Sequence, residues 1–139
     1  MGMRVIRRRH VWIAVLIVYA GAIFAGSSLP LRAVSTRFPL ARIDGLLHAA
    51  EFAVFFLLAR KAIGSTAGAL LASALYAGSD ELHQAFVPGR SATFLDAAFD
   101  LGGAAAAALV RAGVTRSRLL ARMHRRILAI RGGREERNR

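Results

Sequence analysis

The chain has no cysteine. Disulfides and thiolate chemistry are therefore excluded, and the redox compartment is left undetermined. Lysine is almost missing as well: Lys61 stands alone against nineteen arginines. Proline occurs three times, at positions 30, 39 and 88. Each falls outside the candidate helix interiors, where its missing N–H would break the hydrogen-bond ladder. Acidic residues are scarce too, eight against twenty basic ones, for a formal net charge of +12. Six of the eight lie between positions 44 and 100, namely Asp44, Glu51, Asp80, Glu81, Asp96 and Asp100. Glu135 and Glu136 sit in a basic tail.

What the chain has in plenty is apolar sequence. Its 139 residues suit one domain. Hydrophobic types make up 55% of them and the mean hydropathy is +0.44. The positive charge is not spread over a soluble surface. Arg4, Arg7, Arg8 and Arg9 precede the first apolar run, and a second basic block from Arg111 to Arg139 follows the last. Basic clusters beside apolar spans read as topology signals and as contacts with anionic lipid. No nucleic-acid-binding module is visible, so nucleic acid is not an expected partner.

Four apolar segments emerge. The first runs from about Val11 to Leu29, long enough to cross a bilayer at roughly 1.5 Å per residue. A cleaved signal peptide is the alternative, since basic residues precede the run and Ala25, Gly26 and Ser27 end it. The run is long for a signal and three more segments follow, which favours a retained helix. A loop with Arg32, Arg37 and Arg42 leads to the second segment, from about Asp44 to Ile63. The third runs from about Thr66 to Val87, and Pro88 and Gly89 make the turn after it. The fourth runs from about Thr93 to Gly113.

Small residues recur at four-residue spacing, as in Gly64 and Gly68, which lets helices approach closely in lipid. The expected fold is all-α, an integral membrane four-helix bundle with a basic amphipathic C-terminal tail helix. Residues 1–10 form the basic N-terminus, 11–113 the membrane domain and 114–139 the tail. In the tail, Leu119, Leu120, Met123, Ile127 and Ile130 recur at helical spacing among arginines. That pattern fits a helix on the inner membrane surface. His10 and His124 lie in these basic regions and carry no expected role beyond solvation.

Four spans put both termini on one side. That side gathers sixteen of the twenty basic residues, and the other keeps Arg32, Arg37, Arg42 and Arg90. The majority side is expected to be cytoplasmic. The polar ends of the second, third and fourth segments then all face outward.

Asp44, His48 and Glu51, at i, i+4 and i+7, share a helix face. So do Asp80, His83, Gln84 and Val87, with Glu81 about a quarter turn away. Asp96, Asp100 and Gly103 share a face of the fourth segment, and Arg90 lies in the connecting loop. An acid near lipid is costly, and by default it faces a bundle interior and marks a function. Two readings compete. In one, His48, Glu51, Asp80 and Asp100 bind a divalent cation such as Mg, Mn or Zn. Asp44, His48, Glu51, Asp80, Glu81 and Asp100 are then the candidate catalytic groups. Arg90 holds a phosphate with its planar fork, assisted by Gln84 and Asp96. In the other, the acids pair with Arg90, Arg42 and the histidines in a purely structural network. For Glu81 the plain alternative is a helix-end contact, and for Asp96 a helix cap. Phe86, Phe94 and Phe99 are core or lipid contacts, or line an acyl or prenyl groove.

The same residues carry a resemblance. Asp44-Gly-Leu-Leu-His48-Ala-Ala-Glu51-Phe52, Asp80-Glu81-Leu-His-Gln84-Ala-Phe86-Val-Pro88-Gly89-Arg90 and Asp96-Ala-Ala-Phe-Asp100-Leu-Gly102-Gly103 resemble, in order, three motifs of the VanZ-like family. The family often has Tyr near position 51 or 52 and Asn at position 100, so this chain carries extra carboxylates. The resemblance covers roughly residues 10–112. It implies a small multi-pass protein of the bacterial plasma membrane, in a family whose name-giving member is associated with resistance to the glycopeptide teicoplanin. The expected partners are anionic membrane lipids and a lipid-linked or lipid-phosphate envelope intermediate. A metal-assisted phosphohydrolase or transferase, a non-enzymatic envelope accessory protein and a minimal lipid flippase are the functions in view. The last is expected as a homo-oligomer, because four short helices enclose little.

Overall fold

A computed structural model describes residues 2–29, 41–90 and 92–137, with side chains over 8–29, 45–90 and 92–126. Four helices follow one another: α1 (Gly2–Ser27), α2 (Ala41–Ile63), α3 (Thr66–Gln84) and α4 (Phe94–Arg137). No strand occurs among the described residues. The chain divides into two compact units, Met1–Ala108 and Leu109–Arg139.

α1, α2 and α4 run past the expected boundaries, whereas α3 stops at Gln84, short of the expected Val87. α1 begins at Gly2, ahead of its apolar run, because arginine is a good helix former and needs no burial to stay helical. α4 runs through Gly113, where a single glycine costs only about 1 kcal/mol in a helix. Arg32 and Arg37 fall outside the described residues.

In the first unit the core is built on α2. His48, Phe52, Phe55, Phe56, Ala59 and Ala62 are buried, at intervals of three and four that mark one helix face. Phe55 stacks on Tyr76 with ring centroids 4.8 Å apart, and Phe52 packs beside both. Ile23 of α1, Ala69 of α3 and Ala104 of α4 complete the cluster.

α3 buries a stripe of small residues, Ala69, Ser73 and Ala77, and the same stripe continues into Asp80 and Gln84. The spacing that packs the helix therefore also buries its two polar residues. Ser73 satisfies its hydroxyl within the helix, on the Ala69 carbonyl at 2.9 Å.

Hydrogen bonds between helices fix their directions. Arg9 at the start of α1 donates to the Ala62 carbonyl at the end of α2 (3.1 Å), so these two run antiparallel. Lys61 lies 4.0 Å over the Trp12 ring at the same end. Tyr76 of α3 donates to Ala20 of α1 at 2.5 Å, and Ser27 at the end of α1 reaches Asp80 near the end of α3. α2 turns into α3 through Gly64 and Ser65. Gly64 takes a positive φ of 85°, and the Ser65 hydroxyl caps α3 by accepting from the Gly68 N–H.

α2 and α4 meet at close range. The Phe99 ring lies over Gly45, and the Gly103 backbone touches the Ala49 carbonyl so closely that a Cβ at 103 would overlap it. The second unit is described by itself as helix. Leu119, Leu120 and Met123 are exposed there, and Thr115 and Ser117 return their hydroxyls to the carbonyls of Arg111 and Gly113.

Candidate functional site

The directions of the four helices bring the end of α1, the start of α2, the end of α3 and the start of α4 together. Most of the polar side chains singled out in the sequence lie at this end.

Asp80 is the first centre. It is 2% exposed. Its Oδ2 accepts from the Ser27 hydroxyl at 2.9 Å and from the Gln84 amide at 2.7 Å. Its Oδ1 is buried with no partner among the described residues. Gln84 in turn accepts from Arg90 Nη1 at 3.3 Å.

Arg90 owes its position to the turn after α3. The Arg90 N–H closes on the Val87 carbonyl at 3.1 Å, with Pro88 and Gly89 between them and Gly89 at φ 86°. Proline then positive-φ glycine is the signature of a type II turn. It returns the guanidinium to the end of α1. There Nη2 donates to the Gly26 carbonyl at 3.0 Å and Nε to the Leu29 carbonyl at 3.3 Å. A cation at a helix C-terminus satisfies orphan carbonyls and complements the helix dipole. Three of the five guanidinium N–H groups are thus engaged.

The second centre joins α2 to α4. His48 Nδ1 and Asp100 Oδ1 lie 3.0 Å apart, with Asp100 wholly buried. The close approach at Gly103 and Ala49, one turn away, is what lets these short side chains meet. Asp100 Oδ2 is buried and has no partner among the described residues.

Glu81 and Asp96 belong to the start of α4. Glu81 Oε2 accepts from the Thr93 N–H at 2.9 Å, and its Oε1 is buried without a partner among the described residues. The Thr93 hydroxyl accepts from the Asp96 N–H at 3.1 Å and donates to Asp96 Oδ2 at 2.6 Å. This is a reciprocal cap of a helix N-terminus. Thr93 is thus the cap, and Asp96 places its charge in the first turn of α4 and holds the capping hydroxyl.

Glu51 lies at the open flank of the face it shares with His48. Its side chain is exposed and Phe52 takes the buried place beside it. Successive helix residues turn by about 100°, so Glu51 sits some 60° round the helix from His48, on the same face but nearer its edge. It remains within electrostatic reach of His48, Asp100, Asp80 and Arg90. Its carbonyl, not its carboxylate, accepts from Tyr19 at 3.2 Å. Asp44 stands in the first turn of α2, and its side chain lies outside the described residues.

Among the described residues no three His, Asp or Glu side chains converge as metal ligands. The polar groups pack on one another instead. Beside them lies a groove of about 240 Å³, lined by Gly78, Glu81, Ala92, Thr93, Phe94 and Ala97.

Three contributors were missed in the sequence: Ser27 on Asp80, Ser28 on His83 Nε2 (2.9 Å), and Thr93 between Glu81 and Asp96. The first two had a signal. By alternation the end of the first segment lies at the same face as the other polar ends, and it closes on a serine pair. Thr93 stands three residues before Asp96, the spacing of a capping box.

These features define an all-helical protein with a buried carboxylate centre where four helix ends converge. The chain belongs to the VanZ/LLP1 family, whose model matches residues 4–114. That match takes in α1, α2, α3 and the first part of α4, and with them every residue of the polar centre. Comparison with curated proteins and with solved structures finds no match.

Proposed function

We propose that the chain is a four-span protein of the bacterial plasma membrane, both termini cytoplasmic, whose outward polar centre binds the phosphate-bearing head of a lipid-linked envelope intermediate. Large apolar side chains are exposed along all four helices, for example Val18 at 73%, Val54 at 43%, Leu75 at 67% and Leu109 at 73%. Contiguous apolar faces of this extent mark an interaction with lipid or partner rather than with water. Two stretches, Arg8–Ser27 and Phe94–Arg126, are long and apolar enough to cross a membrane. α1 is bonded to its neighbours near both ends, through Arg9 and through Ser27, which favours a retained span over a cleaved leader.

One observation carries the ligand. Asp80 and Asp100 are sealed from solvent, and each leaves one oxygen without a partner among the described residues. An unsatisfied buried acceptor costs about 1–3 kcal/mol, and more when charged. Buried polar groups that serve only as struts are ordinarily satisfied within the fold. A ligand supplies what is missing: hydroxyl or amine donors, or an accompanying divalent cation, to the carboxylates. Its phosphate takes the two N–H groups of Arg90 that have no partner among the described residues. Gln84 bridges acid and guanidinium and holds both in register. Asp100 on Nδ1 fixes the His48 ring.

The test is binding in lipid nanodiscs of a polyprenyl phosphate against the matching polyprenol, with and without Mg, Mn or Zn. The phosphate form should bind at least about tenfold tighter, the scale of one charge-assisted hydrogen bond. Arg90→Ala should erase the difference. Equal binding of the two lipids by the unaltered protein removes the proposal. Release of inorganic phosphate that Asp80→Asn abolishes would make the protein a phosphohydrolase. Binding without release leaves it an accessory protein that shields or presents the intermediate, and lipid movement between leaflets would make it a flippase.

A further inference from the structure

We propose that the groove beside Glu81 is a second binding site, separate from the phosphate centre, for a membrane lipid whose head ends in a primary ammonium. The groove encloses about 240 Å³, and its walls are apolar apart from Glu81 and Thr93. The Thr93 hydroxyl is spent on Asp96, and its N–H on Glu81 Oε2. What remains at the groove is Glu81 Oε1, a buried acceptor with no donor among the described residues.

The electrostatics choose the sign of the missing donor. Asp96 and Asp100 both lie within electrostatic reach of Glu81, so acids outnumber bases around it. A positive donor is therefore favoured over a hydroxyl. The lining chooses the kind of cation. A bare metal ion needs a shell of oxygens, and Ala92, Phe94, Ala97 and Gly78 offer none with their side chains. A quaternary ammonium has no N–H for Oε1, and Phe94 alone is no aromatic cage. A primary ammonium carried on an apolar chain meets both demands: three N–H donors for the carboxylate, and methylenes for the walls. Phe94 stands at the mouth of the groove at 97% exposure and offers its ring to the methylenes, while Glu81, itself only half-buried, must turn its carboxylate for Oε1 to meet the head.

Ethanolamine and choline lipids of the same chain length carry the same net charge and differ only in the N–H. Nanodiscs holding both in equal amounts, with retained lipid counted by native mass spectrometry, should show roughly tenfold enrichment of the ethanolamine form. Glu81→Gln keeps an oxygen for the Thr93 N–H and puts an amide NH₂ in place of Oε1. That variant should retain the two lipids equally. Gly78→Leu fills the groove instead. A side chain at 78 meets nothing within 4 Å in its first atom, so the helix tolerates it. It should lose the enrichment while leaving polyprenyl phosphate binding intact. Equal retention by the unaltered protein overturns the proposal, and so does an enrichment that survives both substitutions. Arg90→Ala separates the two sites, because it should abolish phosphate discrimination and keep the ammonium preference.

Discussion

Removing the His48 imidazole strands the Asp100 carboxylate, which has no exposed surface and has one oxygen without a partner among the described residues. Breaking a buried pair from one side costs more than removing both members, because the survivor stays desolvated. His48→Ala should therefore destabilise the protein by about 3 kcal/mol. Adding Asp100→Leu should recover a large part of that loss. Unfolding of the two single variants and the double variant measures the coupling, and strictly additive losses would show that the contact does no such work. His48 was legible as part of a polar cluster because acids flank it at helical spacing. Its partner was not legible. Spacing assigns residues to faces of one helix but carries no information on the register between helices, and α2 and α4 are paired across fifty residues of sequence. Glu51 shows the same limit within a helix: an interval of three and four marks a broad face, and only packing decides which flank of it is covered.

At the scale of the helix, adjacent glycines make the sharpest contrast. Gly102 and Gly103 both sit inside α4. A Cβ at 102 meets nothing within 4 Å, whereas one at 103 overlaps the Ala49 carbonyl of α2, which is backbone and cannot swing away. Gly102→Ala should be neutral or stabilise by up to about 1 kcal/mol through helix propensity. Gly103→Ala must force α2 and α4 apart, and should cost about 2 kcal/mol. It should also lengthen the His48–Asp100 contact that the close approach permits. Thermal unfolding of the two variants side by side decides this, and equal effects would contradict the packing. The number and order of helices were plain from the apolar runs and from Pro88 and Gly89. Their ends were not, because arginine continues a helix as readily as leucine does, and α1 begins at Gly2 for that reason.

For the whole molecule, hydropathy alone marks α1 and α4 as long and apolar enough to cross a membrane. α2 falls short because Asp44, Glu51, Arg60 and Lys61 crowd its length, and α3 because small residues lead into Asp80, Glu81 and His83. The helices that hold most of the polar centre are thus the ones a hydropathy scale passes over, since every acid subtracts from the signal that marks a span. The hydrogen bonds pair the start of α1 with the end of α2, the end of α1 with the end of α3, and the residue before α4 with the end of α3, an up-down-up-down order. If the helices span as proposed, that order sets Gly64 and Ser65 on the same side as the N-terminus, and the turn at Pro88 and Gly89 on the other. The missing cysteine makes this directly measurable, because a single introduced thiol has no background. In intact cells an impermeant maleimide should label Ala92→Cys and spare Ala67→Cys. Opening the membrane should expose both. Both residues are exposed in the structure, so neither result hinges on burial. Labelling of Ala67→Cys from outside would invert the protein. The carboxylate centre would then face the cytoplasm, and the ligand would have to be one presented at the inner leaflet.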